Sequence, residues 1–192
     1  DSVGRVLKTQ KSSMFGSCEV SYTVYDDAGN VVASICNYDP PGAAPTTAAE
    51  AAALYDLAEP EKNRVTVYEY DPLGRRIMTI TNAGDGANAV YAQTTLTVYD
   101  ALDRVVRTIS NYIPDVAVPA PYTATHSAFD HGDAHNQNLV TDTAYNARGL
   151  VRKQVDLLGN VTLYGYDDAD RLVKTIQNAS EADYNNDYGG TS

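Results

Sequence analysis

The stretch Tyr166 to Ala179 reads YDDADRLVKTIQNA, and Tyr99 to Tyr112 reads YDALDRVVRTISNY. A third stretch, Tyr25 to Tyr38, reads YDDAGNVVASICNY, so one unit recurs along the chain. Each copy opens with Tyr and Asp, places Gly or Asp three residues after that Asp, and continues into β-branched residues. A recurring unit of this kind is typical of proteins built from one supersecondary motif. The chain is therefore predicted to be a repeat array.

The acidic residue after the tyrosine aligns further copies and predicts a series of hairpin turns. Asp or Asn can cap its own backbone at the start of such a turn, and Gly or Asp three residues later tolerates a positive φ. The predicted turns are 1–4, 26–29, 71–74, 100–103, 146–149, 156–159 and 167–170. The clearest turn anchors are Asp26, Gly29, Asp71, Gly74, Asp100, Asp103, Asn146, Gly149, Asp167 and Asp170.

Apolar and polar residues alternate on both sides of the turns, as in half-buried strands. Anchors 146, 156 and 167 are 10 and 11 residues apart, the length of one strand and one turn. We predict an all-β fold, an antiparallel meander of hairpins in a spiralling or stacked sheet, as a single array over 1–192. Insertions 40–63, 83–93 and 112–139 are expected along one sheet edge, and Thr47-Ala-Ala-Glu50 predicts one short helix with a capping box.

Tyrosine provides nearly all of the aromatic side chains: the chain has 15 Tyr, 2 Phe and no Trp. Five tyrosines directly precede an anchor, namely Tyr25, Tyr70, Tyr99, Tyr145 and Tyr166. The tyrosine content is therefore interpreted as a property of the repeat rather than of a binding site.

The charge balance excludes some partners. The net charge is -11 and the sequence pI is about 4.5, whereas nucleic acids and anionic membranes require clustered cations. No run of 18 apolar residues occurs, so no transmembrane helix is predicted. The sequence opens at Asp1 without an initiator Met, which predicts a processed product or an excerpt of a longer chain.

The pattern YDxxGR or YDxxGN resembles the YD repeat of the rearrangement-hotspot (Rhs) family. It stands here at Tyr25–Asn30 and Tyr70–Arg75, and in a variant form at Tyr166–Arg171. The family includes bacterial Rhs and toxin-complex shells, wall-associated proteins and animal teneurins, in which the repeats form long β-sheets. The resemblance implies a structural array without catalytic residues or cofactors.

The length of the chain favours one of the functions that the resemblance leaves open. At 10 or 11 residues per strand the chain holds about a dozen strands, too few to close a shell of this family. We therefore expect an extracellular or cell-surface segment that assembles into a fibre or extended scaffold with other copies or neighbouring repeats. The alternatives are a wall segment of a shell around a toxin cargo, and an adhesive module whose inserted loops bind a surface glycan.

Two further sets of residues are candidates for chemistry. Cys18 and Cys36 flank the turn at Asp26 and are predicted to form a cross-strand disulfide, the alternative being two free thiols. His126, His131 and His135 in the longest insertion, and Asp183, Asn185 and Asp187 near the end, have weak metal-ligand spacing. No P-loop, nucleophile elbow, HExxH or dinucleotide fingerprint occurs, so an enzyme is not expected.

Overall fold

A computed structural model describes residues 5, 7–10, 20–39, 42–84, 92–113, 138–180 and 183. These residues form eleven strands and one short helix. The elements are β1 (Lys8–Gln10), β2 (Val20–Tyr25), β3 (Val31–Cys36), α1 (Ala48–Ala52), β4 (Arg64–Tyr70), β5 (Arg76–Thr81), β6 (Gln93–Tyr99), β7 (Val105–Ser110), β8 (Leu139–Tyr145), β9 (Val151–Val155), β10 (Val161–Tyr166) and β11 (Leu172–Gln177).

The strands form an open antiparallel sheet whose spatial order from β1 to β11 is also the order of the sequence. Each predicted turn within the described residues joins two of these strands. The prediction of an all-β antiparallel meander with one short helix is therefore confirmed. Within the described residues, no helix is long and apolar enough to cross a membrane.

Backbone contacts divide the chain into two compact units, Asp1–Thr95 and Leu96–Ser192. In the first unit, the hydrophobic core lies on the sheet face that carries Val24, Ala33 and Ile35, all buried. Helix α1 covers this face against β3 and β4 and buries Ala51 in the same cluster. The predicted capping box is present, because Thr47 and Glu50 cap each other's backbone N–H groups.

In the second unit, Ile109 and Leu163 are almost completely buried. Arg107 in the same sheet is also buried, with only 7% of the residue exposed. Turn 156–159 lies at the same strand ends as the connection from β7 to β8, whereas turns 100–103, 146–149 and 167–170 lie at the opposite ends. The antiparallel order thus separates these three turns, but not turn 156–159, from the long insertion.

Candidate functional site

The anchor turns share one hydrogen-bond pattern. In each, the backbone N–H of the fourth residue donates to the anchor carbonyl, as from Gly29 to Asp26 at 3.1 Å. The fourth residue has a positive φ in every described turn: Gly29, Gly74, Gly149, Gly159, Asp103 and Asp170. The anchor side chain also accepts from the backbone, as Asp100 Oδ1 does from the N–H groups of Leu102 and Arg104. The short Asp or Asn side chain at the anchor therefore fixes the conformation of the turn.

The residue after the turn adds a side-chain bond to the anchor. Arg75 Nε donates to Asp71 Oδ2 at 2.7 Å and Arg104 Nε to Asp100 Oδ2 at 2.7 Å. In the first repeat, Asn30 Nδ2 replaces the guanidinium and donates to Asp26 Oδ2 at 2.9 Å. Within this pattern Arg and Asn are alternatives, because both supply an N–H donor at the same place.

These bonds favour the ionised carboxylate and lower the pKa of each anchor aspartate below its usual value. The hydrogen bond from the Arg104 side chain is the largest cause for the lowered pKa of Asp100. For Asp71, desolvation alone would raise the pKa, but the hydrogen bonds from Arg75 outweigh it. The pKa is lowered in the same way at Asp26, Asp156 and Asp167.

At four of the repeat tyrosines, a β-bulge directly before the anchor turns the tyrosine side chain. In the first hairpin Val24 pairs with Ala33 but Tyr25 pairs with Val31, so Val32 is the extra residue. The same register shift occurs before Tyr70, Tyr145 and Tyr166. Bulges of this kind bend the strand and redirect a side chain.

The redirected tyrosines link consecutive hairpins, a contact that we call the tyrosine clasp. Tyr70 Oη donates to the carbonyl oxygen of Val31 at 2.9 Å, which lies in the preceding hairpin. Tyr145 and Tyr166 make the same bond to the carbonyl oxygens of Val105 and Val151, at 2.9 and 2.8 Å. The acceptors Val31, Val105 and Val151 stand five residues after the anchors Asp26, Asp100 and Asn146, respectively. The clasp is therefore a repeating contact between neighbouring units.

Arginine side chains lie over the rings of two repeat tyrosines. The guanidinium carbon of Arg104 lies 4.4 Å from the centroid of the Tyr145 ring, and that of Arg5 lies 4.6 Å from the Tyr25 ring. Arg5 also donates to the anchor carbonyl of Asp26 at 3.1 Å. Both arginines stand four residues after an anchor, so each covers the tyrosine of the next hairpin. Tyr99, the remaining repeat tyrosine, lines a cavity in the second unit.

Paired asparagines close the insertions, a feature that our sequence analysis missed. Asn63 N–H donates to the carbonyl oxygen of Asn37 at 3.1 Å, and Asn138 N–H donates to that of Asn111 at 3.0 Å. All four have positive φ. Asn63 Oδ1 further accepts from the backbone of Asp39 at 2.8 Å. The available signal was an Asn eleven residues after several anchors, at Asn37, Asn82, Asn111 and Asn178.

Cys36 is disulfide-bonded in the structure, whereas Cys18 lies outside the described residues. The strand register places Cys36 opposite Ser21. The pairing of Cys36 with Cys18 stays a prediction.

The structure describes only one of the six proposed metal ligands, so the metal sites stay a prediction. His126, His131, His135, Asn185 and Asp187 lie outside the described residues. Asp183 is described, and its carboxylate accepts from the backbone N–H and hydroxyl of Ser180, both at 2.7 Å. These hydrogen bonds lower the pKa of Asp183. A search of the described part of the chain finds no cluster of three metal-ligating side chains.

The second unit also contains a cavity of about 440 Å³. Its wall includes an ion pair between facing residues of β7 and β8: Arg107 Nε and Nη2 donate to the two carboxylate oxygens of Asp142 at 2.6 and 2.8 Å. Hydrogen bonding to Asp142 raises the pKa of Arg107. Arg104, which also lines the cavity, is paired with Asp100. Both arginines that line the cavity are therefore held by carboxylates of the sheet.

Comparison with known proteins identifies the repeat. Residues 145–181 match the family model described as RHS Repeat. This segment contains β9, β10 and β11 and the three anchor turns that begin at Asn146, Asp156 and Asp167. The predicted resemblance to YD or Rhs repeats is thus confirmed. A comparison with curated proteins finds no match to this sequence.

Among solved structures, the chain is similar to a structure of the Photorhabdus luminescens Tc holotoxin pore, with 12% identity over 85% of this chain and a TM-score of 0.47. It is also similar to a crystal structure of TcdB2-TccC3, with 13% identity over 91% of this chain and a TM-score of 0.39. The chain spans only 6% and 8% of the length of these two structures.

Proposed function

Because this chain contains an RHS repeat, we propose that it is a non-enzymatic structural segment, one stretch of an extended β-wall. The observation that carries this proposal is the tyrosine clasp, present at Tyr70, Tyr145 and Tyr166. Each clasp joins a side chain of one hairpin to the backbone of the preceding hairpin. In the described residues, this recurring side-chain contact therefore connects consecutive hairpins rather than lining a ligand site.

The charged groups support the same function. The anchor aspartates accept bonds from their own turns, and Arg107 is paired with Asp142. Catalysis requires an acid, base or nucleophile that is available to a substrate. In the described residues, these carboxylates and guanidinium groups instead hold turns and strands in register.

We propose neighbouring repeats as the partners of this segment, and an extracellular or cell-surface location. The disulfide at Cys36 supports an oxidising compartment. The alternative, suggested by the resemblance to Rhs shells, is a wall segment around an enclosed toxin cargo. Binding of a surface glycan by the inserted loops stays a prediction, and 114–137 of the longest insertion lie outside the described residues.

Electron microscopy of the complete polypeptide that carries this segment tests the proposal. We expect either a closed particle or an extended polymer with a continuous protein wall, and the two forms distinguish a shell from a fibre. A matched variant with Tyr70, Tyr145 and Tyr166 all replaced by Phe should give fewer intact assemblies. Dispersed compact monomers of the unmodified polypeptide, with neither a cavity nor a polymer, would contradict a wall function.

A further inference from the structure

The outermost described strand, β11, exposes apolar side chains that face a neighbour in the other hairpins. Leu172 is 54% exposed and Val173 is 65% exposed. Val31 and Val32, the corresponding residues of the first hairpin, are only partly exposed, and the next hairpin lies beside them. Val105, at the same position before the clasp of Tyr145, is 36% exposed, which is less than Leu172. Within the described residues, the strand order ends at β11. Its outer side is therefore an apolar edge of the kind that is covered elsewhere in the sheet.

The acceptor position of the tyrosine clasp recurs on this edge. The three clasps use the carbonyl oxygens of Val31, Val105 and Val151, each five residues after an anchor. Counting from the anchor Asp167, the same position is Leu172. Leu172 is paired with Tyr166 across the hairpin, as Val31 is paired with Tyr25. The backbone of β11 thus repeats the geometry that receives a tyrosine in the preceding hairpins.

The arginine that would cover such a tyrosine is also in place. Arg104 has a side-chain exposure of 28% and lies over Tyr145 of the following hairpin. Arg171 stands at the same position of the last hairpin and makes the same bond to its anchor, yet its side chain is 78% exposed. The difference in exposure marks the place where an aromatic ring from a further hairpin would lie.

From these observations we propose that the β11 edge binds a strand of another Rhs-type hairpin, ending in Tyr followed by Asp or Asn. The incoming tyrosine hydroxyl donates to the carbonyl oxygen of Leu172, and its ring packs under Arg171. This inference rests on the proposed wall function and adds the chemistry of the partner strand. It is a continuation of the contact that Tyr70, Tyr145 and Tyr166 already make.

The position of the partner strand relative to its turn distinguishes an Rhs-type hairpin from a second copy of this chain that pairs through its β1 edge. The partner strand must precede a turn, because the clasp tyrosine stands directly before an anchor. The other outermost strand, β1, follows the predicted turn at 1–4 and contains no tyrosine. Pairing of β11 with the β1 edge of a second copy would therefore leave the position over Arg171 without its ring.

The test uses the whole 192-residue chain and a labelled, head-to-tail cyclised peptide that carries residues 139–155. This sequence contains the β8–β9 hairpin and Tyr145, and cyclisation limits the entropy lost on binding. Fluorescence anisotropy should show saturable binding. Replacing Tyr145 by Phe in the peptide removes only the hydroxyl and should weaken binding roughly fivefold to tenfold. Equal binding of the two peptides would refute the clasp.

A matched pair of chain variants tests the role of Arg171, and hydrogen exchange tests where the peptide binds. Arg171→Ala should weaken binding about threefold, whereas Lys62→Ala, in the insertion of the first unit, should leave it unchanged. Hydrogen exchange with bound peptide should show new protection in 172–177. Protection at 8–10 instead, or an absence of saturable binding, overturns the proposal. A wall seen by electron microscopy together with no peptide binding would refute the docking edge alone, whereas peptide binding without an assembled wall would refute the wall function alone.

Discussion

The ion pair between Arg107 and Asp142 allows a quantitative test of how the second unit is stabilised. The Arg107 side chain is 8% exposed and that of Asp142 is 25% exposed. Asp142→Ala removes both carboxylate acceptors of the two hydrogen bonds, at 2.6 and 2.8 Å. The guanidinium would then be buried without its counter-charge, which is a much larger cost than the loss of an exposed salt bridge.

The magnitude follows from the number of bonds and the burial. Each hydrogen bond to a charged group contributes about 1.5–3 kcal/mol, which sets an upper range of about 3–6 kcal/mol for two. The adjoining cavity lets water approach the pair and reduces this cost. We therefore expect Asp142→Ala to lower the free energy of unfolding by about 3 kcal/mol, corresponding to a fall in Tm of roughly 6–12 °C. Replacing both residues, by Arg107→Met and Asp142→Leu, should recover most of that loss, because no buried charge remains.

Urea unfolding followed by circular dichroism measures these differences, with Lys62→Ala as the exposed control that leaves the midpoint unchanged. A double-mutant cycle separates the pair from its surroundings. If Asp142→Ala costs less than about 1 kcal/mol, or if the double variant is as unstable as the sum of its single variants, the assignment of a stabilising buried pair is refuted.

The clasp, the turn and the anchor charge provide three further predictions. Tyr166→Phe should lower the free energy of unfolding by about 1 kcal/mol, because it leaves the Val151 carbonyl without the hydroxyl. Tyr164→Phe should lower it less, because the Tyr164 hydroxyl bonds an exposed side chain, and urea unfolding compares the two variants. Gly149→Ala should cost about 1–2 kcal/mol in the same assay, since φ is +82° there, whereas an alanine at Gly42 meets open space and should be neutral. The anchor aspartates have lowered pKa values in the folded chain, so their stabilisation is complete above their unfolded pKa of about 3.9 and is lost as pH falls through the folded values. A pH series of Tm should therefore fall more steeply below about pH 4 for the unmodified chain than for Asp100→Asn, and equal slopes would contradict this assignment.

Much of the fold could be predicted from local sequence, for a physical reason. A turn that needs positive φ at one residue, as at Gly29 and Asp103, restricts that residue to a few types. Alternation along a strand likewise reflects which face is buried. The capping box at Thr47 and Glu50 is also a contact between residues three apart. Each of these signals lies within a few residues of the structure that it specifies.

Contacts between hairpins could not be predicted in the same way. The repeat tyrosines were visible in the sequence, but whether Tyr70 faces its own hairpin or Val31 depends on the bulge in the register. The asparagine pair Asn37 and Asn63 joins positions 26 residues apart across an insertion. The residue opposite Cys36, which is Ser21, likewise follows from the strand register and not from the spacing of the cysteines.

The amino-acid sequence by itself determined the repeat, the position of its turns and the antiparallel hairpins, since each depends on backbone conformations that only certain residues adopt at short range. Only the tertiary structure decided what the repeat side chains contact. The bulges before Asp71, Asn146 and Asp167 send the preceding tyrosine to the neighbouring hairpin. Strand pairing likewise brings Arg107 and Asp142 face to face across an insertion. Those contacts require the backbone to be paired first, because they join groups that are distant along the chain and adjacent only in the folded sheet.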